Sequence, residues 1–151
     1  MNPLTIFLTQ VLSTWFLVGL IWTIQVVHYP LFGGVGVDRF VSYEAAHSRL
    51  ITLVVAPMMF VELAGSVALV MSRPPETPAW IAWIGLILVV IIWCSTAFVQ
   101  VPVHARLAAG FDAEAHAQLV STNWIRTVAW SIRGGLMGWA TWLLLSASGP
   151  A

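Results

Sequence analysis

Histidine and carboxylate are the side chains best suited to proton transfer or metal binding, and this 151-residue chain concentrates them in two stretches. The first holds His28, Glu44 and His47; the second holds His104 and His116 and runs into Asn123 and Arg126. Glu44-Ala-Ala-His47 puts a carboxylate and an imidazole on one helix face, the spacing found in carboxylate-bridged di-iron bundles. Those sites need a second such motif and two further glutamates, whereas here Glu44 is accompanied by Glu62 and the loop acids Asp112 and Glu114 with no second Glu-x-x-His, so a conventional di-iron centre is not expected. His28, His47 and His104 could instead supply three imidazoles to Cu, Zn or Fe, with Glu44 or Glu62 as an oxygen ligand. Two of them could serve as axial ligands to a haem b. The plainer alternative is that they are hydrogen-bonding residues at a membrane boundary. Gln25, Gln100 and Glu44 lie about one helical turn from these histidines and are expected to fix their second ring nitrogens. His116, between alanines near Asp112 and Glu114, is expected to be a solvent-exposed bystander.

A second group of polar residues interrupts apolar runs. Glu62 follows Arg49 by 13 positions, roughly 20 Å along a helix, and Arg133 is expected at similar depth. A charge inside a bilayer costs several kcal/mol unless paired or hydrated, which makes both residues candidates for function or for a structural ion pair. As catalytic groups, Glu62 would be an acid or base, Arg126 and Arg133 would stabilise a developing oxyanion, and Asn123 would orient the substrate. Asn123, Arg126, Trp130 and Arg133 form one stripe at helical spacing, and Gln25 with His28 and Gln100 with His104 form two more. Facing inward, the three stripes would meet in one polar pocket.

The elements that must position these residues are helices in a membrane. The chain is 60% hydrophobic, 8% charged and has a mean hydropathy of +0.91, beyond what a soluble domain of this size can hide. Apolar segments at 4–27, 51–71, 79–99 and 124–147 each approach the roughly 20 residues needed to cross a bilayer. The expected fold is therefore all-α: a single integral membrane domain over 1–151, a four-helix bundle with two long connections capping one side. Those connections, about 23 residues each, exceed the usual 2–8 between bundle helices and carry the histidines. The stretch Pro30-Leu31-Phe32-Gly33-Gly34-Val35-Gly36 is expected to break the first helix just after His28, and Asp112 to cap a short helix over 112–119 that runs into the fourth span. The opposite side has the proline-rich 72–78 turn, the N-terminus and the 146–151 tail.

All six basic residues are arginine. Arg39, Arg49, Arg106 and Arg126 fall on the histidine side and Arg73 on the other, which predicts a cytoplasmic histidine side with both termini outside, in a bacterial inner membrane. Zero formal net charge gives nucleic acid no electrostatic purchase. Expected partners are the lipid bilayer and a lipophilic small molecule, with a homo-oligomer left open. The one cysteine, Cys94, excludes an intrachain disulfide and reads as a packing residue. Of nine tryptophans, Trp80, Trp124, Trp139 and Trp142 suit interfacial belts, while Trp22, Trp93 and Trp130 lie beside the polar stripes and could wall an aromatic pocket. Met58 and Met59, beside Pro57, read as packing at a kink.

Val101-Pro102-Val103-His104-Ala105-Arg106-Leu107 and the later Asn123-Trp124-Ile125-Arg126-Thr127 together resemble the C-terminal half of the anthrone oxygenase-like family of small membrane proteins. His104 stands where that family's pattern has asparagine, and the resemblance covers about a third of the chain. It implies a four-helix membrane fold and, for a minority of relatives, oxidation of polycyclic aromatic substrates. Two functional readings stay open. One is a membrane oxidoreductase or oxygenase acting on a lipophilic substrate that enters sideways to a histidine-rich site near the cytoplasmic interface. The other is a non-catalytic membrane subunit binding haem, quinone or lipid.

Overall fold

A computed structural model describes residues 2–147. Residues 148–151, most of the expected C-terminal tail, lie outside them. The described chain is all-helical, with four principal helices in an up-and-down square. α1 (Pro3–Thr23) starts at Asn2, whose side chain accepts from the Leu4 N–H at 2.8 Å. It continues through a π turn (Ile24–His28), a single α turn (Tyr29–Leu31) and a 3-10 turn (Phe32–Gly34). α2 (Val37–Met71) follows after only Val35 and Gly36. α3 (Ala79–Ser95) is extended by a π turn (Thr96–Gln100) and a final α segment (Val101–Leu107), and α4 spans Ala113–Ala147. α1 and α3 each pack against both α2 and α4.

The expected long connections are largely helix. α2 starts well before position 51 and α4 well before 124, because neither 37–56 nor 113–133 contains a glycine or proline to stop propagation. The short helix expected at 112–119 is the first part of α4. Its cap is as expected: Asp112 Oδ1 accepts from the N–H groups of Glu114 and Ala115 at 3.0 and 3.1 Å. The Ala115 N–H and the Arg106 guanidinium, 2.8 Å away, hold the Asp112 carboxyl below its ordinary pKa.

The first helix breaks within the expected stretch but later, after Gly34 and not just after His28, so Pro30 itself does not end it. A proline lacks an N–H and its ring collides with the carbonyl four residues back. In both α1 and α3 a π turn ends two residues before the proline, with Tyr29 N–H bonded to Ile24 O and Val101 N–H to Thr96 O. The wider turn absorbs the ring of Pro30 and of Pro102, and each helix carries on.

Three helical stretches, Pro3–Gly34, Val37–Met71 and Ala79–Leu107, are long and apolar enough to cross a membrane. α4, the expected fourth span, is not among them, because its inner stripe of Asn123, Arg126, Thr127 and Arg133 dilutes its apolar content. Two apolar layers fill the interior. Ile6, Phe7, Leu69, Ile81 and Met137 pack near the 72–78 turn, and a larger cluster including Phe32, Phe40, Leu107 and Leu119 packs toward the histidine end. Cys94, expected to pack inside, is exposed.

Candidate functional site

The polar stripe of α4 joins two separate clusters. In the deeper one, Glu62 Oε1 accepts from Arg133 Nε at 2.8 Å and from Thr14 Oγ1 at 3.0 Å, and Oε2 accepts from Trp130 Nε1 at 2.9 Å. Arg133 Nη2 donates to Ser66 Oγ at 2.8 Å and also to Gln10 Oε1. Glu62 and Arg133 are each 1% exposed. Gly85 makes room for the guanidinium: a Cβ there would lie 2.7 Å from Arg133 Nη1. The anticipated pair therefore exists, and its oxygens are fully engaged.

The second cluster lies at the histidine end. Glu44 is buried with Oε1 2.6 Å from His104 Nδ1 and accepts from Ser48 Oγ at 3.0 Å. An ionised carboxylate only accepts hydrogen bonds, so the His104 proton is drawn to Nδ1 and Nε2 is left as the acceptor. Nε2 faces the Tyr29 hydroxyl at 3.0 Å, and Arg126 Nη2 donates to the same hydroxyl oxygen at 3.3 Å. The outcome is a directed chain, Arg126 to Tyr29 to His104 to Glu44, drawn from all four helical stretches. Asn123 Oδ1 accepts from both Nε and Nη2 of Arg126. Asn123 Nδ2 in turn donates to Gln25 Oε1 at 2.8 Å, and Gln25 Nε2 to Val120 O at 3.1 Å.

His28 Nε2 and His47 Nδ1 share a 2.8 Å hydrogen bond, and the His47 ring is stacked on His104 with centroids 5.5 Å apart. The four expected ligands thus meet at one end of the bundle as two hydrogen-bonded pairs. Among the described residues no three His, Cys, Asp or Glu side chains are grouped to hold one metal ion. Glu44 Oε2 and His47 Nε2 are buried and carry no hydrogen bond. The expected second-nitrogen partners divide: Glu44 does fix His104, but Gln25 serves Asn123 and Gln100 donates to Thr122 Oγ1 at 3.0 Å. His116 is no exposed bystander. It is half-buried, bonds the Tyr29 carbonyl oxygen through Nε2 at 2.8 Å and stacks on Phe32.

A cavity of about 480 Å³ connects this cluster to the surface between α2 and α3. Its walls are mostly aliphatic, with Leu17, Ile21, Ile51, Val55 and Met59 among them, and Trp93 and Trp130 supply aromatic faces. Tyr29, His104 and Arg126 form its polar corner. Trp22, expected as a third wall, is instead exposed and bonded to Ser131 Oγ at 3.0 Å. Glu62, Arg133, Asn123, His28 and His47 do not line the cavity.

Tyr29 is the functional candidate that residue-type reasoning passed over; its signal was Pro30, whose π turn shifts the inward face of the helix. No family model matches the chain, and no curated protein or solved structure matches it.

Proposed function

We propose that the chain is an integral membrane enzyme that takes a lipophilic carbonyl or phenolic molecule into the α2/α3 cavity and removes a proton from it, the opening step of an oxidation. The observation that carries this reading is the mixed lining of the cavity: aliphatic and aromatic walls converge on a polar corner backed by a directed hydrogen-bond chain. Its volume falls within the 300–1,000 Å³ of ordinary small-molecule sites. Loss of the Tyr29 proton to His104 Nε2, with Glu44 holding the resulting imidazolium, leaves a phenolate facing the cavity as the base. Arg126 then balances the negative charge that moves onto the substrate oxygen. With dioxygen as oxidant, the resulting carbanion loses its electron pair to oxygen; a C–H₂ group becomes C=O and the second oxygen atom leaves as water. That chemistry matches what the family resemblance implies for polycyclic aromatic substrates.

Membrane insertion is supported by the outer surface. Leu12, Leu53 and Phe98 are 71%, 67% and 78% exposed, and apolar surface on this scale needs a lipid or protein cover. The arginine bias puts the histidine end on the cytoplasmic side. A cytoplasm-active reporter inserted at Gly110 should therefore work, and one fused after Ala151 should be silent; the reverse pattern would invert the topology.

The proton-transfer step is tested without any oxidant. Protein in nanodiscs should catalyse exchange of the acidic C–H hydrogens of 2-tetralone with solvent deuterium, read by mass spectrometry under argon. Ala56→Trp, which fills the cavity wall, should remove that exchange. Exchange at the rate of protein-free nanodiscs would overturn the proposed activity.

A further inference from the structure

Arg126 is 6% exposed, and no carboxylate pairs with it among the described residues. A buried cation served only by neutral acceptors leaves a charge for something else to balance. Its hydrogen bonds show where that charge is available. Asn123 Oδ1 spans Nε and Nη2, which is one two-nitrogen edge of the guanidinium. The other such edge, between Nη1 and Nη2, is compromised because the remaining Nη2 hydrogen goes to the Tyr29 hydroxyl. Nη1 has only a long 3.4 Å contact to Thr96 Oγ1. Arg126 and Thr96 both line the cavity, and Asn123 does not.

Arginine recognises a carboxylate through two parallel N–H groups on one edge. Both edges here have lost at least one nitrogen to the protein, and Asn123 cannot swing aside without releasing Gln25. Two further cavity-lining residues also have buried polar atoms with no partner, Trp93 Nε1 and Gln100 Oε1, and Gln100 is 2% exposed.

We infer that the cavity accepts a lipophilic ligand presenting one anionic oxygen, a phenolate or enolate, to Nη1 of Arg126, and that Asn123 excludes carboxylates by occupying the fork. The inference deepens the proposed function, since it rests on the same cavity, and it makes Asn123 a specificity-determining residue that does not touch the ligand.

The probe is 2-naphthol, whose absorbance reports its own ionisation, with 2-naphthoate as the carboxylate of equal bulk. In wild-type nanodiscs the ionisation midpoint of bound naphthol should fall by about one pH unit or more relative to empty nanodiscs. Naphthoate should compete at least about tenfold more weakly than naphthol. Arg126→Gln should abolish the shift. Asn123→Ala should free the fork and move the preference about tenfold toward naphthoate, a gain that a merely unfolded variant cannot show. An unshifted midpoint in the wild type, or naphthoate binding as tightly as naphthol, overturns the inference. A shifted midpoint with no deuterium exchange would retain the anion site and overturn only the proposed proton transfer.

Discussion

Glutamine in place of Arg133 should cost the fold about 3–5 kcal/mol, because Glu62 would stay buried with its charge uncompensated. The carboxylate would keep only the Thr14 hydroxyl and the Trp130 indole N–H as side-chain donors. Glu62→Gln should be similarly damaging, since Arg133 would then face Gln10 and Ser66 with no anion. The double variant should be less destabilised than the sum of the singles, by about 0.5–3 kcal/mol. Thermal denaturation in detergent measures all four corners of the cycle, and strict additivity would mean that the 2.8 Å contact does not couple the residues. Activity is expected to follow stability here, because neither side chain reaches the cavity.

His104→Ala should lower the exchange rate by about 10²–10⁴-fold, the usual range for losing a positioned acid–base group. The same variant should leave thermal stability nearer wild type than Arg133→Gln does, because His104 is only half-buried, at 18% side-chain exposure, whereas Arg133 is 1% exposed. Glu44→Gln tests the direction of the chain. An amide at that position can donate as well as accept, so it no longer requires the proton on Nδ1, and Nε2 is no longer held ready to accept from Tyr29. A large loss in Glu44→Gln with the naphthol shift intact supports the relay; wild-type exchange rates in both variants would remove it from the mechanism.

The sequence made one half of this architecture legible and hid the other. Helix number and order, the shared end of the histidines and the Glu62–Arg133 pairing follow from apolar run length and from the cost of an unpaired charge, both of which are local quantities. The connections were read as long caps with a short helix in the second, but most of each is the start of α2 or α4. Propagation needs only the absence of breakers, and α2 runs through Glu44, His47 and Arg49 unbroken. Tyr29 was hidden by the π turn. Simple 3.6-residue spacing puts Gln25 and His28 on one inward stripe, but the extra residue in that turn leaves Tyr29 buried and His28 only half-buried. The Asn123 lock was equally invisible: asparagine three residues before arginine is a common helical neighbour, and only the bound orientation of the guanidinium shows which edge it closes.

The 72–78 turn ties the ends of α2 and α3 closely together, with Arg73 Nε bonded to Thr77 O at 3.1 Å. At the other end these two helices are far apart in sequence, and Glu44 to His104 is the side-chain hydrogen bond that links them. Mechanically the pair is a clothes-peg, with its spring at the proline turn and its jaws at the cavity. A splay of a few degrees at the spring is multiplied along the length of α2, so the seam would open most toward the end far from the turn, where Glu44 meets His104. The jaw clasp is the proton relay itself. A guest wedged between the jaws would stretch the bond on which its own deprotonation depends, and full catalytic contact would return only when the peg shuts behind it.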